Sequence, residues 1–234
     1  MKRLISVLVV LSAIIFGSLT SVAQTGDPGL MDIKDFVRQV FIHGVPYEEA
    51  NKYDTSVVPT LLKMLEDPTE EAHWANIAVV LEIIGDERAV DPLIAFIEKG
   101  VEGEMSRFRY VAKTSALMGL GYLINKTGNE KALNYLKQSL APETWEARRI
   151  AGISPFQASM DERNRDLSKY AILGLALSGH PSAAEAIRSL QKPADTEAKR
   201  AFQAQVSDVV SEALKTNEEI AREGLATYYR KSMP

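Results

Sequence analysis

Between residues 55 and 85 the apolar side chains recur in two blocks. Val57, Val58, Leu61, Leu62 and Leu65 form one stripe, and Trp74, Ile77, Ala78, Leu81 and Ile84 form a second. Positions i, i+3, i+4 and i+7 lie on one face of a 3.6-residue helix, so two amphipathic helices are predicted. The run "EDPTEE" between them marks a boundary. Asp67 is a capping residue, and Pro68 suits the first helical position, where its missing N–H would be unpaired anyway. Glu70 stands three residues after the cap, as in a capping box.

The stretch "IIGDERAVDPLIAFIEKG", 83 to 100, carries the chain from one helix into the next. Gly85 closes the first in the left-handed conformation, and Asp86 caps the second. Ala89, Val90, Leu93, Ile94 and Ile97 supply a new buried stripe. Pro92 cannot donate to the carbonyl of Arg88, which predicts a kink or a tightened turn there, and Pro59 sits early in its own helix in a comparable role. Looser copies of this corner occur at 127 to 140 ("TGNEKALNYLKQSL") and 178 to 191 ("SGHPSAAEAIRSLQ"). Gly85, Ala89, Leu93 and Ile97 align with Gly128, Ala132, Leu136 and Leu140, and the third copy supplies Gly179, Ala183 and Ile187. Each unit is a helical hairpin unable to bury its stripe alone, so neighbouring units must stack.

Residues 57 to 100, "VVPTLLKMLEDPTEEAHWANIAVVLEIIGDERAVDPLIAFIEKG", resemble the short HEAT-like repeat of the type also found in phycobilin lyases. That pattern has a Pro-Leu-Ile helix, an Asp-Pro turn, an Ala/Leu-rich second helix and an Ile-Gly-Asp exit. The likeness is looser over 105 to 191. Trp74 and Ser168 stand where the family often has an Arg, which puts its inter-repeat ladder in doubt here. The resemblance implies an α-solenoid, most often one that binds proteins. The fold class expected is thus all-α, a solenoid of stacked hairpins of HEAT-like or armadillo type with helical caps at both ends.

The glycines of the corners are 43 and then 51 residues apart, and the longer interval contains an insertion, 141 to 164, read as a short helix plus a loop. The organisation expected is a signal peptide over 1 to 23, a linker and helical cap over 24 to 54, repeats over 55 to 194 and two helices over 195 to 234. Those two are drawn as 196 to 215 and 217 to 230, with Thr216 and Glu219 as a capping box between them.

Lys2 and Arg3 precede the apolar run "LISVLVVLSAIIFG", and Ser21-Val22-Ala23 is a small-x-small cleavage site. Together they describe an export signal cut after Ala23, placing the mature chain in the periplasm or the medium; the alternative is a retained anchor. No later stretch could span a bilayer. There is no Cys, so the exported chain must stay folded without disulfides. Lys and Arg number 27 against 31 Asp and Glu, and without Lys2 and Arg3 the balance is 25 to 31. That charge argues against nucleic acid as a partner. Apolar residues make up 46% of the chain and aromatics only 7%, which suits a helical core.

Catalytic chemistry finds little support. The three histidines, His43, His73 and His180, are scattered, and Glu70 with His73 is a single Glu-x-x-His where a carboxylate-bridged metal site needs two. There is no nucleophile elbow, P-loop or dinucleotide fingerprint, so neither an enzyme nor a cofactor is expected. Gly119 and Gly121 in "MGLGYLINKTG" are read as close helix packing.

A protein partner is the favoured expectation. Arg107, Arg109 and Lys113 begin one helix, and Arg163, Arg165 and Lys169 begin its counterpart one repeat later. Stacking would bring both groups to one edge as a cationic strip able to receive acidic segments. The competing reading pairs these cations with Glu104, Asp161, Glu162 and Asp166. Trp145, Phe156 and Met160 lie in the insertion, where an exposed aromatic would anchor a partner unless it folds back. A non-catalytic envelope scaffold is the leading reading, and a lyase-like helper holding a small molecule in a groove is the alternative.

Overall fold

The computed structural model describes residues 30–100, 103–148, 150 and 152–232. The export-signal reading falls on residues 1–23, outside the described residues. Among those described the fold is all-helical, with twelve α-helices and a single isolated bridge, Glu104 to Ile153. None of these helices is long and apolar enough to cross a membrane.

Two short helices, α1 (Ile33–Val37) and α2 (Tyr47–Ala50), lead into α3 (Val58–Glu66) and α4 (Trp74–Ile84). Then come α5 (Val90–Glu98), α6 (Arg107–Thr127), α7 (Glu130–Gln138), α8 (Pro142–Ala147), α9 (Met160–Ser178) and α10 (Pro181–Ser189). The chain ends with α11 (Glu197–Glu223) and α12 (Leu225–Ser232).

Four of these helices lie side by side in chain order: α4 on α6, α6 on α9 and α9 on α11. They run in the same direction, as their cross-contacts show. At the starts of α4 and α6, Trp74 lies under the Arg109 guanidinium; at the ends, Lys126 Nζ donates to the Ile83 carbonyl at 3.1 Å. Gly121 meets Gly174 midway along α6 and α9, and Asn125 Nδ2 donates to the Ser178 carbonyl at 2.9 Å. Between α9 and α11, Asn217 Nδ2 donates to the Leu175 carbonyl at 2.9 Å. Lys126 and Asn125 thereby satisfy carbonyls at a neighbour's C-terminal end that its own helix leaves unpaired, while Asn217 shares the Leu175 carbonyl with Ser178 Oγ of α9. The connecting helices form the other layer, with α3 on α4, α5 on α6, α7 on α6 and α9, and α10 on α9 and α11.

The three corners are built alike. Gly85, Gly128 and Gly179 close α4, α6 and α9 at φ of 68°, 67° and 60°. Asp86, Asn129 and His180 then accept from the backbone N–H of Arg88, Ala132 and Ser182. At Pro92 the tightened turn occurs: a 3₁₀ turn over Glu87–Ala89 delays α5 to Val90, which puts the proline in the first helical turn, where no donor is missed.

Two local expectations are corrected. Asp67 caps its turn by accepting from Thr69 N at 2.9 Å, but Glu70 closes no capping box. Its carboxylate turns to the Arg38 guanidinium, tying α1 to the turn. Thr216 is not a cap either, because α11 runs unbroken from Glu197 to Glu223 with Thr216 and Asn217 buried inside it. With neither Gly nor Pro at that point nothing stops the helix, and the break falls at Gly224, φ 80°. From there α12 turns back, and Tyr229 stacks on Tyr47 of α2 with centroids 5.3 Å apart and planes 8° apart. The end segments, expected as separate caps, touch each other.

Candidate docking surface

The starts of α6 and α9 and the insertion loop between α8 and α9 form one end of the parallel layer. Ser106 caps α6, accepting from Arg109 N at 3.1 Å, and Ser159 caps α9, accepting from Glu162 N at 3.1 Å. Met105 N donates to the Ile153 carbonyl at 2.8 Å, which ties the segment leading into α6 to the insertion loop. Within that loop Ser154 and Gln157 are buried and bonded to each other, and Gln157 Nε2 donates to Asp166 of α9 at 3.1 Å.

This end presents Phe108, Phe156 and Met160 to solvent, at 49%, 39% and 45% exposure. Phe156 lies against Tyr110, centroids 5.9 Å apart, and the Arg107 guanidinium sits 5.6 Å from its ring centre. Arg165 pairs with Asp161 at 2.6 Å and Lys169 with Asp166 at 3.2 Å, both within α9. Arg109 pairs with Glu71 at 2.7 Å while covering Trp74. The pairing of the cations with acids of this chain thus describes Arg109, Arg165 and Lys169.

Three residues expected on this surface lie inside the fold. Lys113 is buried, and its Nζ donates to the carbonyls of Phe96, Ile97 and Lys99, each at 2.7 Å, closing the C-terminal end of α5. Burial first, then repulsion from Arg109, Lys99 and Arg163, pushes Lys113 down to about 7. The three carbonyls engage all three ammonium protons and oppose that drop. Arg163 is also buried and bonds the carbonyls of Ile150 and Gly152 and the Asn164 side chain, so it holds the insertion loop from within. Its guanidinium is lowered by burial. Trp145 has folded back to zero exposure, its Nε1 donating to the Ser139 carbonyl at 3.0 Å. Arg148 stacks over both Tyr135 and Trp145, at 4.2 and 4.7 Å.

Beside this surface a groove of about 830 Å³ opens between α8, the start of α9 and the start of α11. Pro142, Glu146, Arg165, Lys199 and Phe202 are among its walls. No cluster of three potential metal-binding side chains occurs among the described residues, and Glu70 is engaged with Arg38.

Sequence reasoning also missed a buried acid. Glu82 of α4 is fully buried, and neither carboxyl oxygen has a hydrogen-bond partner among the described residues. Its signal was a lone Glu inside the apolar run "AVVLEIIG". In comparisons with known proteins, no family model, curated protein or solved structure matches the chain.

Proposed function

We propose that this chain is an exported, non-catalytic HEAT-like α-solenoid that docks other proteins in the cell envelope through the starts of α6 and α9. The recurring glycine corners and the side-by-side order of α4, α6, α9 and α11 support the solenoid reading. The export signal read over residues 1–23 supports the location. One observation carries the docking role: three large apolar side chains, Phe108, Phe156 and Met160, stay in water at the same end of two adjacent helices. Covering the surface they still expose would recover roughly 1 kcal/mol apiece, about half of what full burial of such a side chain gives. Arg107 beside Phe156 adds a cation to an aromatic anchor, the pairing enriched where interfaces concentrate their energy. The exposed Arg165–Asp161 pair is weakly held, so an acidic partner segment can compete for Arg165.

A second reading is favoured by the groove of about 830 Å³, large enough for a small molecule. It would make the chain a lyase-like or cofactor-handling helper. The discriminating experiment purifies the mature chain from its host with and without Phe108→Ser, Phe156→Ser, Met160→Ser and Arg107→Glu combined. Loss of the co-purifying proteins at unchanged melting temperature supports docking; an unchanged set of partners overturns it.

A further inference from the structure

The first turns of α11 place Ala198, Ala201, Phe202 and Gln205 on one helical face, and that face lines the groove beside α8. Its two alanines keep the trough open to main chain from outside. Most charges on the walls are already matched: Arg165 is held by Asp161 at 2.6 Å and Lys199 by Asp195 at 2.9 Å. The side chains of Glu143 and Glu146 on α8 have no ion pair or hydrogen bond among the described residues. Glu143 acts on Lys199 only at longer range, and Lys192 is the remaining wall cation, exposed to water. Asn164 of α9 borders the same groove and is only 6% exposed. Its Oδ1 accepts from Arg163 Nε at 3.2 Å and from Nη2 at 2.7 Å. A guanidinium offers no acceptor, so this grip fixes which way the amide is turned. Nδ2 is left as a donor with no hydrogen-bond partner among the described residues. An almost buried donor without an acceptor costs the fold free energy, which a ligand carbonyl would relieve.

We propose that this groove holds an extended basic segment of a partner protein, with a main-chain carbonyl accepting from Asn164 Nδ2 and alternate Lys or Arg side chains meeting Glu143 and Glu146. Side chains two apart in an extended strand project to one side, separated by about 6.7 Å along the chain. Acids three apart on a helix stand about 5–6 Å apart at Cβ. Those spacings are close enough for two long cationic side chains to reach both carboxylates. The unmatched acids also outnumber the unmatched Lys192, so the groove complements a positively charged occupant. The inference rests on the docking reading for the existence of a partner, but an isolated peptide probes the groove apart from the exposed apolar end.

The test follows fluorescence anisotropy of an end-capped, fluorescein-labelled Ala-Lys-Ala-Lys-Ala peptide titrated with the full chain, beside the same peptide with Glu in place of Lys. Saturable binding of the Lys peptide that weakens with added salt is expected, and none of the Glu peptide. Glu143→Gln combined with Glu146→Gln changes only exposed side chains and should weaken the Lys peptide at least about tenfold. Asn164→Asp keeps the acceptor for Arg163, which matches the added charge, but replaces the donor that a peptide carbonyl needs. It should weaken binding at least about fivefold at unchanged melting temperature, and the double Glu variant decides if Asn164→Asp lowers that temperature. Phe108→Ser combined with Phe156→Ser should leave peptide affinity unchanged; loss of binding there would put the peptide on the apolar end and overturn the groove assignment. Absence of saturable Lys-peptide binding, equal binding of the Glu peptide, unchanged affinity in the double Glu variant, or unchanged or tighter binding in a stable Asn164→Asp would each overturn the proposal as well.

Discussion

The hydroxyl of Tyr229, on the last helix, is hydrogen-bonded to that of Tyr122, which precedes it by 107 residues, and its ring stacks on Tyr47. This contact joins the two ends of the helical array. Tyr229→Phe removes only the hydroxyl bond and should cost about 1 kcal/mol. Tyr229→Ala removes the ring as well and should cost about 3 kcal/mol. Amide exchange should rise first along α12 in both variants, and uniform protection across the chain would contradict the clasp.

Glu82 makes stability depend on pH in a stated direction. Its folded carboxyl titrates well above 4.5, whereas the unfolded one titrates near that value. Below the unfolded value both states hold the proton and there is no penalty. As pH rises beyond it only the unfolded state ionises, so stability falls by about 1.4 kcal/mol per pH unit until the folded group also titrates. Glu82→Gln abolishes that slope. Urea midpoints of the two proteins should coincide near pH 4 and separate toward pH 7 with the variant more stable; parallel curves would exclude a buried neutral acid.

Gly121 sets the distance between α6 and α9. A Cβ there would stand 2.1 Å from the Gly174 carbonyl oxygen, a backbone atom that cannot swing aside. Gly121→Ala should therefore destabilise by about 3 kcal/mol, despite alanine's better helix propensity. Thermal unfolding measures it, and a neutral or stabilising result would mean the two helices are farther apart.

Lys113 acts as the closure of α5. Lys113→Met preserves the stem but leaves the Phe96, Ile97 and Lys99 carbonyls without their donor, at a cost of about 2–3 kcal/mol. An exposed lysine such as Lys131, paired with Asp91 on the surface, should tolerate the same change within about 0.5 kcal/mol. Equal effects of the two substitutions would remove the special role of Lys113.

The corners were legible because their determinants are local: a glycine in the left-handed region followed by a side chain that accepts from the next turn. So was the packing role of Gly121, a glycine in an apolar helix. The strip was harder, because a cation at the start of a helix can point to water or inward. Lys113 lies three residues before Ala116 and four before Leu117, both buried, so its position in the helical period did carry a hint of burial. What placed it inward was the free C-terminal end of α5, supplied by another hairpin. Thr216 looked like a cap because Thr and Glu at that spacing often are, yet the pattern does not by itself end a helix. The return of α12 onto α2 depends on contacts across most of the chain, and no short stretch announces it.

The docking account is tested most directly by placing a photo-crosslinking amino acid at Phe156, at Met160, or at the exposed Ser207 of α11, and irradiating cells that produce the full chain. The account predicts discrete crosslinked protein adducts from positions 156 and 160 and none from 207. Adducts of equal yield at all three positions, or at 207 alone, would contradict it.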